Sequence, residues 1–360
     1  MAGGYIGDNS KNHDRKTVMG ERMASDIRAV IRAEMQAVFP AYEPAVRDFY
    51  AMQEYHLGWR NRDLEPELSD PGKLLRPIIT LLCCRMMGGT DAQALPLAAG
   101  IQLVHDFSLI HDDIEDDSDL RRGRTTLWTI WGLAQGINAG DGMFVLAHMA
   151  LQRLRHTGVR AERVLDICER FDRTILSICE GQYLDISFEG RQTVSEADYV
   201  AMVTRKTAVL LAACCELGAL AADASDADAA ALGLFGLHVG ISFQMQDDIL
   251  GIWGDPAVTG KPDAADLVRR KQSLPVIYAL QHEDPSGPLH RLYATSAGDD
   301  RGLAAARQAI DAAGAQAYTA RLAEEHYRLA CAALERVGGA DPVRRGELQA
   351  LAAGLLGRSV

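Results

Sequence analysis

Basic residues are in short supply: 37 Lys and Arg stand against 49 Asp and Glu, a formal net charge of -12 with histidine neutral. A phosphate backbone recruits basic faces, so this balance excludes a nucleic-acid partner, and any anion the protein binds has to be met by local cations. Zinc-site spacing is missing too. The seven cysteines include the adjacent pairs Cys83/Cys84 and Cys214/Cys215, and none stands in a CxxC or Cys/His arrangement, so they read as small apolar fillers in a reducing cytosol. Long apolar runs are also absent. The N-terminal stretch MAGGYIGDNSKNHDRKTVMG lacks the apolar core of a secretion signal, and nothing reaches the roughly 18 apolar residues of a membrane span. The expectation is a soluble, cytoplasmic protein without a transmembrane segment, disordered over residues 1–20 and folded as one domain over 21–360.

Strand-like runs of valine, isoleucine and threonine are rare, and no internal repeat, low-complexity tract or long linker divides the chain. What is there is helical. Of the 360 residues 48% are hydrophobic, enough for a large core, and they recur at spacings of three and four, as in Ile27, Val30, Ile31 and Met35, or Ile167, Phe171, Ile175 and Ile178. Alanine and leucine fill the long segments, and the punctuation falls at Asp70-Pro71-Gly72, Gly88-Gly89, Gly254-Asp255-Pro256 and Asp284-Pro285-Ser286-Gly287. An all-α bundle of about a dozen helices follows.

The stretch SLIHDDIEDDSDLRRGR holds six carboxylates within the eight positions from Asp112 to Asp119, then three arginines within four, Arg121, Arg122 and Arg124. Its approach, IQLVHDFSLIHDD, reads as a helix from about Leu95, with Pro96 in the first turn, to Asp116 or beyond. Asp112 and Asp116 then share a face about 6 Å apart along the axis, and repel by about 3 kcal/mol at an effective dielectric near 20. A solvated acidic helix end is the plain alternative, but acidic residues are unfavourable where the macrodipole is already negative. A calcium loop would need alternating oxygen ligands around a central glycine, which is lacking. A hard divalent cation on helix-borne carboxylates fits better.

Asp247-Asp248, in FQMQDDIL, repeats the pattern at the end of a second apolar helical run. Magnesium takes one or two carboxylates and completes its shell with water and phosphate oxygens, so two such pairs describe a cradle for a magnesium-diphosphate. Arg121 and Arg122 supply guanidinium forks for the same anion.

With these residues in place, the chain resembles the trans-isoprenyl diphosphate synthases of the polyprenyl synthetase family. Asp112-Asp113-Ile114-Glu115-Asp116 is similar to the family's first aspartate-rich motif, DDxxD, followed by Arg121-Arg122-Gly123, and Phe243-Gln244 with Asp247-Asp248 is similar to the second. The likeness runs from about Gly72 to Tyr278. It implies an isoprenoid-synthase bundle around a central cavity, Mg2+ as cofactor at three ions per active site, Asp112, Asp116 and Asp247 as metal ligands, and a homodimer. Gly72-Lys73-Leu74-Leu75-Arg76-Pro77 resembles the GKxxRP segment and, with His105 and Arg122, implies a pocket for the diphosphate of isopentenyl diphosphate. Arg121, Lys206 and Lys271 match positions that contact the allylic diphosphate. Thr207, Gln244 and Gln182 match polar groups near the reacting carbon. Asp113, Phe243 and Asp248 match further positions of the two motifs, Asp113 among the catalytic residues, Phe243 and Asp248 on the substrate side.

Three departures stand out. Gly251 occupies the fifth position of the second motif, where many relatives carry aspartate, so Asp248 is expected to act through water. The segment before Lys271 lacks a frequent glycine, and Leu74 replaces a frequent arginine. The implied reaction ionises the allylic diphosphate, and the double bond of isopentenyl diphosphate attacks the cation. A class I terpene cyclase would have no use for the Lys73, Arg76 and His105 pocket, and a non-catalytic subunit of a heteromeric synthase would be expected to lose one aspartate motif. Product length is implied by Phe107 and Ser108, five and four residues before Asp112. An aromatic followed by a small residue resembles short-chain members making geranylgeranyl diphosphate, with farnesyl diphosphate second.

Overall fold

Long alanine- and leucine-rich segments with few β-branched runs give helices, and the computed structural model describes residues 27–69, 72–189, 191, 193–255, 264–294 and 300–356. The N-terminal segment expected to be disordered lies outside the described residues. Helix α1 covers described residues 27–36, followed by α2 (Arg47–His56), α3 (Leu75–Met86), α4 (Asp91–Glu115), α5 (Leu127–Trp131), α6 (Leu133–Gln152) and α7 (Ala161–Phe188). The second half carries α8 (Glu196–Val203), α9 (Val209–Ala221), α10 (Asp226–Trp253), α11 (Ala265–Val268), α12 (Leu274–His282), α13 (Pro288–Ala294), α14 (Asp300–Ala312), α15 (Ala315–Glu335) and α16 (Pro342–Leu356). The sheet content among the described residues is one hairpin of β1 (Leu120–Arg121) and β2 (Arg124–Thr125), plus an isolated bridge between Arg60 and Pro66. Arg122 and Gly123 turn the hairpin with φ of +52° and +74°, the pair of positive angles that a two-residue turn demands.

The chain folds as two compact units. The first takes the described residues up to Ile78, Leu95–Asp119 and Thr125–Arg153, and so holds most of α4 with α2, α5 and α6. Residues 96–104 of α4 are all buried, Leu97, Ala98, Ile101 and Val104 fully so, as in a helix that is enclosed on every side. Tyr55 of α2 packs edge-on against Trp131, 5.1 Å between ring centres, and donates its hydroxyl hydrogen to the carbonyl of Thr125 at 2.7 Å. Helix α4 starts one turn earlier than the sequence suggested, at Asp91 rather than Leu95, because Thr90 binds Gln93 Oε1 through both its N–H and its hydroxyl and fixes an earlier first turn. Pro96 therefore lies inside the helix.

The second unit takes Ile79–Ala94, Leu120–Arg124 and the chain from Leu154 onward. Helix α10 is its axis and packs mainly on α9 and α15. Helix α7 buries Ile167, Phe171, Ile175 and Ile178 on one stripe, the spacing that marked it as amphipathic. Four of the seven cysteines, Cys83, Cys84, Cys214 and Cys215, are buried and in no disulfide, as fillers should be. Between α8 and α9 the helix widens into one π-helical turn, Thr204–Ala208. The widening brings Lys206 and Thr207 onto the face toward α7 and α10, and Gly181 on α7 makes room for it: a Cβ at that position would overlap the backbone nitrogen of Lys206.

Candidate active site

In the first unit the final turns of α4 carry the first acidic cluster. Asp112 is half-buried, Asp116 is exposed, and the Asp116 N–H still bonds the Asp112 carbonyl at 2.9 Å, so the helical register puts both carboxylates on one face. Asp113, turned about 100° away, is buried at 2% exposure. The helix then closes with Asp117 in the left-handed region (φ +47°) and Ser118 N–H bonded to the Asp113 carbonyl at 2.8 Å.

Seven residues before Asp112, His105 meets Arg76 at the start of α3, Arg76 Nη1 to His105 Nε2 at 3.1 Å. Arginine has only donors, so Nε2 accepts and the neutral ring carries its proton on Nδ1. The structure thus brings together two residues, 29 positions apart, that were expected in the isopentenyl pocket. Lys73 is exposed beside them in sequence, between Gly72 and Leu74, both at positive φ (+83° and +48°). Asp106, next to His105, is buried, accepts from Gln102 Nε2 at 2.8 Å and lies 3.8 Å from His56 Nε2. Phe107 turns onto α6, its ring 5.3 Å from Phe144 and 5.1 Å from His111. The Ser108 hydroxyl bonds back to the His105 carbonyl at 2.8 Å.

In the second unit the end of α10 carries the second pair. Phe243, Gln244 and Asp247 are half-buried, while Asp248 is 1% exposed. Asp248 accepts from Tyr199 Oη at 2.8 Å, Leu274 N–H at 3.0 Å and Gln244 Nε2 at 3.0 Å. Burial pushes its carboxyl up to about 6, with Asp266 adding to the rise; Lys271 and the bonds from Gln244 and the Leu274 N–H hold it down. For Lys271 burial alone would lower the pKa, but the carboxylates of Asp248, Asp266, Asp185 and Asp247 outweigh it and keep the ammonium charged. Lys206 Nζ bonds Asp185 Oδ2 at 2.5 Å, and Thr207 Oγ1 donates to Gln244 Oε1 at 3.1 Å. Gln182 lies half-buried on α7. Arg121 is half-buried on β1, and Arg122 is exposed at the hairpin turn.

Sequence reasoning missed Tyr199, Asp185 and Asp266. Tyr199 lies in an ordinary helical stretch and carries no motif. Asp266 had a signal in the departure at Gly251: a Cβ at residue 251 would collide with the Asp266 carboxylate, so the space a side chain there would need is taken by a carboxylate from α11.

Among the described residues no three His, Cys, Asp or Glu side chains gather closely enough to hold an ion by themselves. The residues expected as ligands, Asp112, Asp116 and Asp247, offer hard carboxylate oxygens that are not fully buried, the chemistry that would suit Mg2+ with its remaining positions filled by water and phosphate. The residues fit that ion.

A family model described as polyprenyl synthetase matches residues 59–310. The chain is 39% identical over 302 residues to a geranylgeranyl diphosphate synthase of Mycobacterium tuberculosis, covering 83% of this chain and 84% of the relative. It is 36% identical over 308 residues to a (2E,6E)-farnesyl diphosphate synthase of the same species, covering 83% of each. Among solved structures, a polyprenyl synthetase from Streptomyces coelicolor superposes with a TM-score of 0.83 at 32% identity, covering 93% of this chain and 99% of that one.

Proposed function

The chain belongs to the polyprenyl synthetase family, and on that premise we propose that it condenses isopentenyl diphosphate with an allylic diphosphate to give geranylgeranyl diphosphate. It is a prenyltransferase of the all-α isoprenoid-synthase fold. The observation that carries condensation, rather than ionisation of one substrate alone, is the Arg76 to His105 contact: a cationic pocket apart from the acidic motifs has work only when a second diphosphate is bound. Lys73, Arg76, His105 and Arg122 are its proposed members. Asp112, Asp116 and Asp247 are the proposed ligands of Mg2+, three ions per site, and the metal when bound neutralises the diphosphate and makes it a better leaving group. Arg121, Lys206 and Lys271 meet the remaining phosphate charge. Thr207 and Gln244 turn oxygens toward the reacting carbon, and catalysis rests on positioning and fixed charge rather than on a protein base.

A 20-carbon product is favoured by the relative named above at 39% identity. The 15-carbon alternative draws on the second relative. A homodimer is supported by α6, which leaves Leu133 (54%), Ile137 (45%), Val145 (54%) and Met149 (36%) exposed. No described helix is long and apolar enough to cross a membrane, and the cytoplasm is the proposed location. Labelled isopentenyl diphosphate, incubated with Mg2+ and an allylic starter, tests the reaction. Label is expected in an extractable prenyl product only when both substrates are present; a hydrocarbon formed from the allylic substrate alone would point to a cyclase.

A further inference from the structure

Tyr199 is completely enclosed, belongs to no motif, and spends its hydroxyl on one atom, Asp248 Oδ2 at 2.8 Å. That oxygen also receives the N–H of Leu274 at 3.0 Å, at the first turn of α12. Asp248 Oδ1 is left to receive Gln244 Nε2, also at 3.0 Å and one helical turn back on α10. A carboxylate offers no hydrogen, so the amide nitrogen of Gln244 must face it, and the amide oxygen must face the other way. There it accepts from Thr207 Oγ1 at 3.1 Å, the hydroxyl delivered by the π-helical turn. With its hydrogen committed to Gln244, Thr207 has only lone pairs left to present. The polarity of the chain Tyr199, Asp248, Gln244, Thr207 is therefore set from its buried end, and it finishes in two oxygens whose negative ends lie together.

We propose that Tyr199 is a positioning residue of the transfer reaction, which through Asp248 fixes the Gln244 amide so that the oxygens of Gln244 and Thr207 together stabilise the developing allylic cation. The inference rests on the prenyl-transfer reading, and it gives Asp248 the work of a buried strut that orients a dipole. Fixed dipoles stabilise charge without reorganising when the charge appears, so a free or reversed amide loses rate in the chemical step while leaving diphosphate binding alone.

Steady-state kinetics with Mg2+, isopentenyl diphosphate and geranyl diphosphate test this in four variants. Tyr199→Phe keeps the ring and removes one hydrogen bond; kcat is expected to fall about fivefold with both KM values within about threefold of wild type. Asp248→Asn lets the Gln244 amide reverse, and kcat is expected to fall about a hundredfold. Gln244→Glu combined with Asp248→Asn swaps donor and acceptor and turns an oxygen back toward Thr207, so the double variant is expected to run at least about tenfold faster than Asp248→Asn, and faster than Gln244→Glu alone. A structural role alone would move melting temperatures without that reversal. Wild-type kcat in Tyr199→Phe would overturn the proposal. A double variant no faster than Asp248→Asn would also overturn it; if Asp248→Asn does not fold, Tyr199→Phe decides. A wild-type protein that makes no prenyl product would instead defeat the prenyl-transfer reading.

Discussion

The ends of α4 and α10 carry the same pair of letters and use them differently. In each Asp-Asp pair the first carboxylate is half-buried and the second is buried, Asp113 at 2% and Asp248 at 1%, because neighbours on a helix point about 100° apart. The difference lies one turn later. The residue that follows α4 is Asp116, exposed and still in register with Asp112, whereas α10 supplies Gly251, and the space beside it is taken by the Asp266 carboxylate. One end is an array of like charges written on a single helix and the residue that follows it; the other is assembled from α8, α10, α11 and α12. A repeated sequence motif fixes which face a carboxylate shares, but not what the surrounding chain does with it.

The sharpest way to break this comparison is to neutralise one carboxylate in each. Asp112→Asn, Asp116→Asn and Asp247→Asn are each expected to lower kcat a hundredfold or more, about 3 kcal/mol of lost charge stabilisation, without unfolding the protein. Near-normal turnover with Mg2+ in all three would end the ligand assignment. Gly251→Asp, which makes the second motif look like the first, should do harm: the new side chain meets the Asp266 carboxylate and costs about 2 kcal/mol in a thermal or denaturant melt. Gly251→Asp with Asp266→Gly should recover most of that loss, and no recovery would show that the two positions are independent.

Burial gives the second pair a pH signature. Asp248 is raised from 3.8 to about 6, so between those values the folded protein holds this proton more tightly than the unfolded chain does. Its contribution to stability is full below about 3.8 and is lost as the pH rises through about 6. The melting temperature of metal-free wild type, relative to Asp248→Asn, should therefore decline from pH 4 to about pH 6.5 and level off above; a difference that grows across that window contradicts the burial argument. Lys73 and Arg76 belong to the first unit, and Lys73→Ala and Arg76→Ala should raise KM for isopentenyl diphosphate about tenfold, with kcat changed less, since the proposed role of both is to hold the substrate that is not ionised. The smallest effect on rate is expected at the wall behind α4. Phe107→Ala and Phe144→Ala should shift products to 25 carbons and beyond by mass analysis while total incorporation stays within about fivefold, and Ser108→Phe should shorten them. Unchanged products in all three would place the limit on another helix.

Much of the first half was legible because its chemistry is local. Asp112 and Asp116 lie within one helical turn, so periodicity alone pairs them, and the helix of Ile167, Phe171, Ile175 and Ile178 could be read the same way. Arg76 and His105 needed the family resemblance, since nothing in their spacing shows that they meet. The second half was less legible because its contacts join residues far apart: Tyr199 reaches Asp248 across 49 positions, and the Leu274 N–H reaches the same carboxylate across 26. A lone tyrosine and a backbone N–H carry no pattern. Gly251 was visible as a departure, but its meaning required the position of Asp266, which comes from a separate short helix.

Mass analysis of the products that wild-type protein forms from isopentenyl diphosphate with dimethylallyl, geranyl and farnesyl diphosphates, each with Mg2+, tests the central claim most directly. The predicted result is one linear all-trans 20-carbon diphosphate from all three starters, with no product when isopentenyl diphosphate is left out. A cyclic hydrocarbon formed without isopentenyl diphosphate, or no condensation from any starter, would contradict it.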